Sequence, residues 1–211
     1  MAGKEHKANV REAATSRQRL QQELAREKAR KAKIRLVVRI STVVGVVVVA
    51  SLVVFGLLSA RPTDSTAAAQ APAFTLKTTA GTTVSLSDYR GKPVILYFNE
   101  GAGCGACTQQ MASIERDPGF AEAGITVLSI VMNTRAQIQP DLDSFGVKTP
   151  YLLDDGTVSK AYDVLGKGMH ANLPGHGFVL IDAAGIQRWK ADYPSMWLEP
   201  KELLQTAQSK L

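Results

Sequence analysis

The run from Ile40 to Ala60 (ISTVVGVVVVASLVVFGLLSA) is 21 residues long and carries no charge. As a helix it would reach about 31 Å, close to the hydrocarbon thickness of a bilayer. Eight of the 21 are valine, a strand former in water. In lipid, however, the backbone must satisfy its own hydrogen bonds, and helix prevails. A buried strand would be shorter, and core helices rarely run so far without a charge. A cleaved signal peptide has an apolar region of roughly 7–15 residues behind a short basic lead. Here the lead is 39 residues, and no cysteine follows the run where a lipid anchor would need one. The reading is one retained transmembrane helix over 40–60, with cleavage near Ala67–Ala71 as the alternative.

The charge distribution gives that span a direction. Residues 1–39 hold 12 Lys/Arg against 4 Asp/Glu, a net charge of +8, whereas residues 40–211 carry −2. Lys28, Arg30, Lys31, Lys33, Arg35 and Arg39 crowd the N-terminal side of the span. The basic tail, 1–39, is therefore expected in the cytoplasm, helical in part, and the remainder outside the cell membrane. The same charges suit membrane lipid with anionic headgroups, which accounts for them without nucleic acid. Residues 61–72 (RPTDSTAAAQAP) lack aromatic residues and read as a flexible spacer. The folded domain then occupies 73–211.

Within it, strand and helix patterns alternate. Phe74–Thr78 and Thr82–Leu86 flank Ala80-Gly81 as a hairpin. Pro93–Asn99 and Ile125–Met132 are continuous apolar runs of the kind found in central strands. Cys107–Asp117 has helical composition and stops at Pro118-Gly119. Thr134–Phe145 is a weaker helix that Pro140 should interrupt. Tyr151–Leu153 is a short strand and Val158–Leu165 a short helix. Gly177–Asp182 and Ile186–Ala191 form a second hairpin, and Glu199–Leu211 a closing helix. The class is α/β, helices layered on one sheet.

The two cysteines, Cys104 and Cys107, lie in the run NEGAGCGACTQQM, between a buried strand and a helix. N–H groups at a helix N-terminus stabilise a thiolate, so Cys104 is expected below the free thiol value of about 8.5. Two intervening residues let the second sulfur reach back and close a disulfide. Cys104 would be the exposed attacking sulfur and Cys107 the shielded resolving one. A zinc site would need a second pair of ligands at suitable spacing, and His170 and His176 lie more than sixty residues downstream. A purely structural disulfide would close a tiny loop and gain little entropy.

Residues APAFTL (71–76), GTTVSLSDYRGKPVILYF (81–98), CGAC and GFVLIDAAG (177–185) together resemble the thioredoxin-like redoxins. More narrowly, the chain resembles a membrane-anchored branch that merges with the alkyl hydroperoxide reductase/thiol-specific antioxidant (peroxiredoxin) superfamily. The resemblance covers about residues 71–197. It implies a thioredoxin fold with an N-terminal β-hairpin extension, thiol-disulfide oxidoreductase chemistry and no cofactor. Gly103 stands where thioredoxins usually have tryptophan. On the peroxiredoxin alignment Cys107 falls on the peroxide-attacking cysteine, Cys104 on a threonine, Glu100 on a proline, and Gln110 on a commonly acidic position. Groups that stabilise charge developing on peroxide oxygens are thus missing, which ranks disulfide exchange above peroxidase activity.

The resemblance also implies a cis-proline facing the sulfurs, for which Pro174 is the candidate, with an ordinary trans-proline as the alternative. His176, in the same loop, is a candidate for tuning the thiolate or shuttling a proton, against an ordinary solvated histidine. Pro174 and His176 are together the expected substrate-binding positions. Tyr97 cannot accept a proton near neutral pH. Glu100 would raise the Cys104 pKa if it faced that sulfur. Trp189, Tyr193 and Trp197 read as core or rim. Expected partners are protein thiols and disulfides, with a membrane electron donor and hydroperoxides as further candidates. A copper-delivery role through Cys104, Cys107 and His176 is the non-enzymatic alternative.

Overall fold

The computed structural model describes residues 2–59, 63–65 and 68–211. Met1, Ala60, Arg61, Pro62, Thr66 and Ala67 lie outside the described residues, and with them the end of the expected span and part of the expected spacer. The chain divides into two compact units, 1–57 and 58–211. The first is helix α1, Ala2–Ser59, continuous through both the basic tail and the apolar run. Its Lys33–Leu58 stretch, with mean hydropathy 2.6 and no part of it buried, is long and apolar enough to cross a membrane. Eight valines do not break it, because helix satisfies every backbone group within the segment.

The second unit is built on a nine-stranded sheet: β1 Thr63–Ser65, β2 Ala69–Gln70, β3 Thr75–Thr78, β4 Thr83–Ser85, β5 Val94–Phe98, β6 Thr126–Val131, β7 Leu152–Leu153, β8 Gly177–Ile181 and β9 Ile186–Asp192. The strand order is β1-β9-β8-β5-β6-β7-β3-β4, and β2 also pairs with β9. The central β5 runs parallel to β6 and antiparallel to β8. The expected hairpins are β3–β4 and β8–β9. The expected flexible spacer is ordered in part, since Thr63–Ser65 and Ala69–Gln70 pair antiparallel with β9. That pairing uses backbone groups, so it needs no apolar signature.

The period-2 alternation of β5 splits the core between the two faces of the sheet. Ile95 and Tyr97 face one cluster with Met111, Ile114, Ile138, Leu142 and Leu203. These come from helices α2 Gly105–Arg116, α4 Arg135–Phe145 and α6 Pro200–Lys210. Val94, Leu96 and Phe98 face the other, with Phe74, Val158, Tyr162 and Val164. Short helices α3 Gly119–Glu122 and α5 Thr157–Ala161 complete the layers. The fold is the α/β thioredoxin-like fold with an added N-terminal hairpin.

Pro140 does not interrupt α4, contrary to the sequence expectation. A proline inside a helix costs about 3 kcal/mol. Burial of Ile138 and Leu142 offsets it by about 3–6 kcal/mol together. A capping box from Thr134 and Gln137 opens the helix, and left-handed Gly146 closes it. Truncating Ile138 should therefore be costly. Ile138→Ala is expected to lower domain stability by about 3 kcal/mol, read from denaturant unfolding followed by the fluorescence of buried Trp189. A loss below about 1 kcal/mol would mean that packing does not hold α4 in place.

Candidate functional site

β5 ends at Phe98, and five residues carry the chain past the end of the strand to the first cysteine. This loop is pinned by side chains from three directions. Asn99, fully buried, accepts from the Gly101 N–H (3.1 Å) and donates to Ser129 Oγ on β6 (2.9 Å). Asn133 Oδ1 accepts from the Ala102 N–H (2.9 Å), and Asp141 Oδ2 on α4 accepts from the Gly103 N–H (2.8 Å). Gly101 has φ +80°, and a side chain there would strike Asn133. The Cys104 N–H then bonds Gly101 O (3.0 Å), closing the turn.

Cys104 is the N-cap of α2, and Cys107 lies in its first turn. The two form a disulfide, with Cα atoms 5.3 Å apart. The Cys107 N–H points at Cys104 Sγ (3.3 Å), so a helix N-terminal donor reaches the first sulfur. Cys104 is half-buried, whereas Cys107 is 0% exposed. The two cysteines thus differ in access, although Cys104 is half-buried rather than exposed. Further along α2, the buried Gln110 amide exchanges two 2.8 Å hydrogen bonds with the Leu198 backbone, fastening the helix to the segment before α6.

Beneath the disulfide lies a buried polar pair. The Tyr97 hydroxyl donates to the Cys107 carbonyl (3.1 Å) and lies 3.0 Å from His176 Nδ1. With its proton committed to that carbonyl, the hydroxyl accepts from an Nδ1–H tautomer of His176. The Tyr97 ring stacks on Phe178 at 4.7 Å. Burial pushes the Tyr97 phenol well above its ordinary range, so it stays protonated. His176 is only 1% exposed rather than solvated, and burial pushes its pKa down to about 4. At neutral pH it is an uncharged imidazole.

The remaining expected residues are placed as follows. Pro174 is trans and buried, and pairs with Leu165 in an isolated antiparallel bridge. Glu100 is turned toward another loop. Its Oε1 accepts from the Met169 N–H (2.7 Å), and its Oε2 lies 3.1 Å from His170 Nδ1. Among the described residues, no group of three or more His, Cys, Asp or Glu side chains is placed to hold a metal ion. The sequence reading did not single out Asn99, Asn133 or Asp141. For Asn99 and Asn133 the one available signal is a polar residue directly after an apolar run; Asp141, within α4, has none.

The chain belongs to the AhpC/TSA family, whose profile matches residues 67–190. A Mycobacterium tuberculosis protein assigned to the peroxiredoxins is 36% identical over 109 residues, which cover 51% of this chain and 69% of that one. Among solved structures, a peroxidoxin from the same organism superposes with a TM-score of 0.57 at 21% identity, covering 68% of this chain and 97% of that one. The thioredoxin domain of a thiol-disulfide oxidoreductase from Bacteroides vulgatus gives 0.54 at 22% identity, covering 69% and 98%. The two structures share the fold. The relatives make the chain an oxidoreductase of the redoxin superfamily.

The His176 environment predicts a pH dependence. Unfolded, the imidazole binds its proton below its ordinary pKa of 6.5; folded, it does so only near pH 4. The unfolded state gains protons first, so stability is complete above pH 6.5 and falls as pH drops toward 4. The full loss is about 3 kcal/mol. Burial raises the Asp192 pKa, which acts in the opposite sense, so the difference between wild type and His176→Phe isolates the histidine. That difference in unfolding free energy should shrink by about 3 kcal/mol from pH 7 to pH 4. A constant difference would mean that His176 is not held neutral.

Proposed function

We propose that this chain is a membrane-anchored, extracytoplasmic thiol-disulfide oxidoreductase that works through Cys104 and Cys107. The observation that carries the reading is the disulfide at the start of α2, with one sulfur reachable and the other enclosed. In the reducing direction, the Cys104 thiolate attacks a partner disulfide. A Cys104–partner S–S bond forms, and the partner's second sulfur leaves as a thiolate. Cys107 then loses its proton and attacks Cys104 Sγ. The intramolecular disulfide forms, the partner departs as a thiolate, and two electrons have passed to it. The oxidising direction is the same sequence reversed. α1 supports the anchor, and the basic residues before its apolar stretch support a cytoplasmic N-terminus.

Partners are protein thiols and disulfides. When the domain acts as a reductant, a thiol donor on the same side of the membrane returns the disulfide to the dithiol. Peroxide reduction is the second reading, favoured by the family and by the peroxiredoxin name of the relative. It ranks lower because Cys107, the sulfur aligned with the peroxide-attacking position, is enclosed. Glu100, aligned with a peroxiredoxin proline, is committed to the Met169 N–H and His170.

Single-cysteine variants separate the two readings. Cys107→Ser should accumulate mixed disulfides through Cys104, and Cys104→Ser should accumulate none and lose exchange by 100-fold or more, about 3 kcal/mol. Gel mobility after acid quench and alkylation reads the outcome. Hydroperoxide consumption that persists in Cys104→Ser, with sulfenic acid on Cys107, would put the peroxidase reading first.

A further inference from the structure

Pro174 and His176, the positions expected to meet a substrate, are both buried. Solvent is met instead by the preceding segment, from Gly166 to Asn172. Its Met169 is 79% exposed. The next most open large apolar side chain among the described residues of 63–211 is Leu211, at 52%. One exposed methionine on a mobile tip would need no explanation. The backbone here is tied down by hydrogen bonds.

The Met169 N–H donates to Glu100, and the imidazole of His170, 60% exposed, meets the other carboxylate oxygen. Glu100 itself is only 4% exposed. Enclosing a carboxylate is costly unless its lone pairs are taken up, and this segment supplies the partners. The segment is also packed backbone to backbone. The Gly166 N–H bonds Leu173 O (2.9 Å), and the Gly175 N–H bonds Val164 O (3.1 Å). A Cβ on Gly175 would lie 2.6 Å from the Lys167 carbonyl carbon and 2.9 Å from the Gly168 nitrogen. A Cβ on Gly168 would collide with the Glu100 carboxylate.

Glu100 lies four residues before Cys104 on the same pinned loop, so it joins Met169 to the platform that carries the reachable sulfur. Around that sulfur the chain is small and uncharged: Ala102, Gly103, Gly105 and Ala106. These small residues leave the chain beside the sulfur open, and the one bulky group against them is the half-buried Phe145 ring at Gly105. Met169 is the far more exposed apolar side chain, tied to the same loop through Glu100. An unbranched, polarizable thioether adapts to many apolar partners.

We propose that Met169 is a specificity-determining residue that contacts an apolar side chain of a protein substrate close to its reacting cysteine, and that Glu100 is the positioning residue that holds it there. The proposal rests on the thiol-disulfide exchange reading. It makes the chain discriminate protein thiols from a small thiol such as glutathione, which has no apolar neighbour to offer.

The test uses the full chain in detergent micelles, in its disulfide form. It is reduced by excess reduced, unfolded ribonuclease A or by excess reduced glutathione, and alkylation-quench mass spectrometry reads each rate. The quantity of interest is the ratio of the two rate constants. Met169→Ser should lower that ratio about tenfold, the loss expected for an apolar side chain that no longer finds its contact. Glu100→Ala should lower it similarly and speed deuterium exchange at the Met169 amide. Glu100→Gln, whose amide oxygen can still accept that N–H, should restore much of both. A ratio unchanged in Met169→Ser, or two rates that fall together, would overturn the proposal and leave the exchange reading standing. No reduction of the wild-type disulfide by either thiol would overturn both.

Discussion

The turn from β5 into α2 governs the rest of the site. Five consecutive buried residues bring the chain to the end of central strand β5, where its backbone N–H groups leave the ladder and need new acceptors. Three side chains from different elements supply them: Asn99 within the loop, Asn133 after β6, and Asp141 on α4. The loop is thereby fixed on both flanks before the first cysteine is reached. A disulfide two residues wide requires its Cα atoms at one defined separation. The pinned loop and the first turn of α2 provide it.

The two sulfurs then diverge in environment for reasons of position alone. Cys104 caps the helix, with a helix N–H directed at its sulfur. Cys107, one turn in, is enclosed, and its carbonyl is held from below by Tyr97. Tyr97 in turn meets His176, neutral at ordinary pH because burial disfavours its charge. The contacts found below the sulfurs are thus polar but uncharged. The nearest carboxylate in sequence, Glu100, is occupied by Met169 and His170 rather than directed at the disulfide. Membership of a peroxiredoxin family and dithiol exchange chemistry are compatible here, since the shared fold sets only where the loop lies. The residues in the loop decide what it does.

Much of this was legible in the sequence, and the particular residues show why. β5, β6 and β8 were read to within a residue or two because central strands are continuous apolar runs. The cysteine pair announced itself by lying between such a strand and a helical segment. The apolar stretch of α1 was evident from length alone. What escaped were contacts made across long sequence separations. His176 lies 79 residues from Tyr97, and nothing local distinguishes a buried loop histidine from a solvated one. Asn133 and Asp141 reach the cysteine loop from 31 and 38 residues away. β1 and β2 carry no strand signature in the sequence because their pairing with β9 is made by backbone ladder bonds rather than apolar packing. Pro140 does not break α4 because tertiary burial, which the sequence does not display, outweighs the local steric rule.

The order in which the sulfurs react is the central claim, and competitive alkylation of the reduced full chain measures it most directly. Brief exposure to limiting iodoacetamide near neutral pH, followed by peptide mass spectrometry, separates labelling at Cys104 from labelling at Cys107. Attack by the more accessible, helix-capping thiolate predicts that Cys104 is modified at least tenfold faster, because reactivity follows thiolate character and access. Faster modification of Cys107 would contradict the account, for it would make the enclosed sulfur the nucleophile and place peroxide-type attack ahead of disulfide exchange.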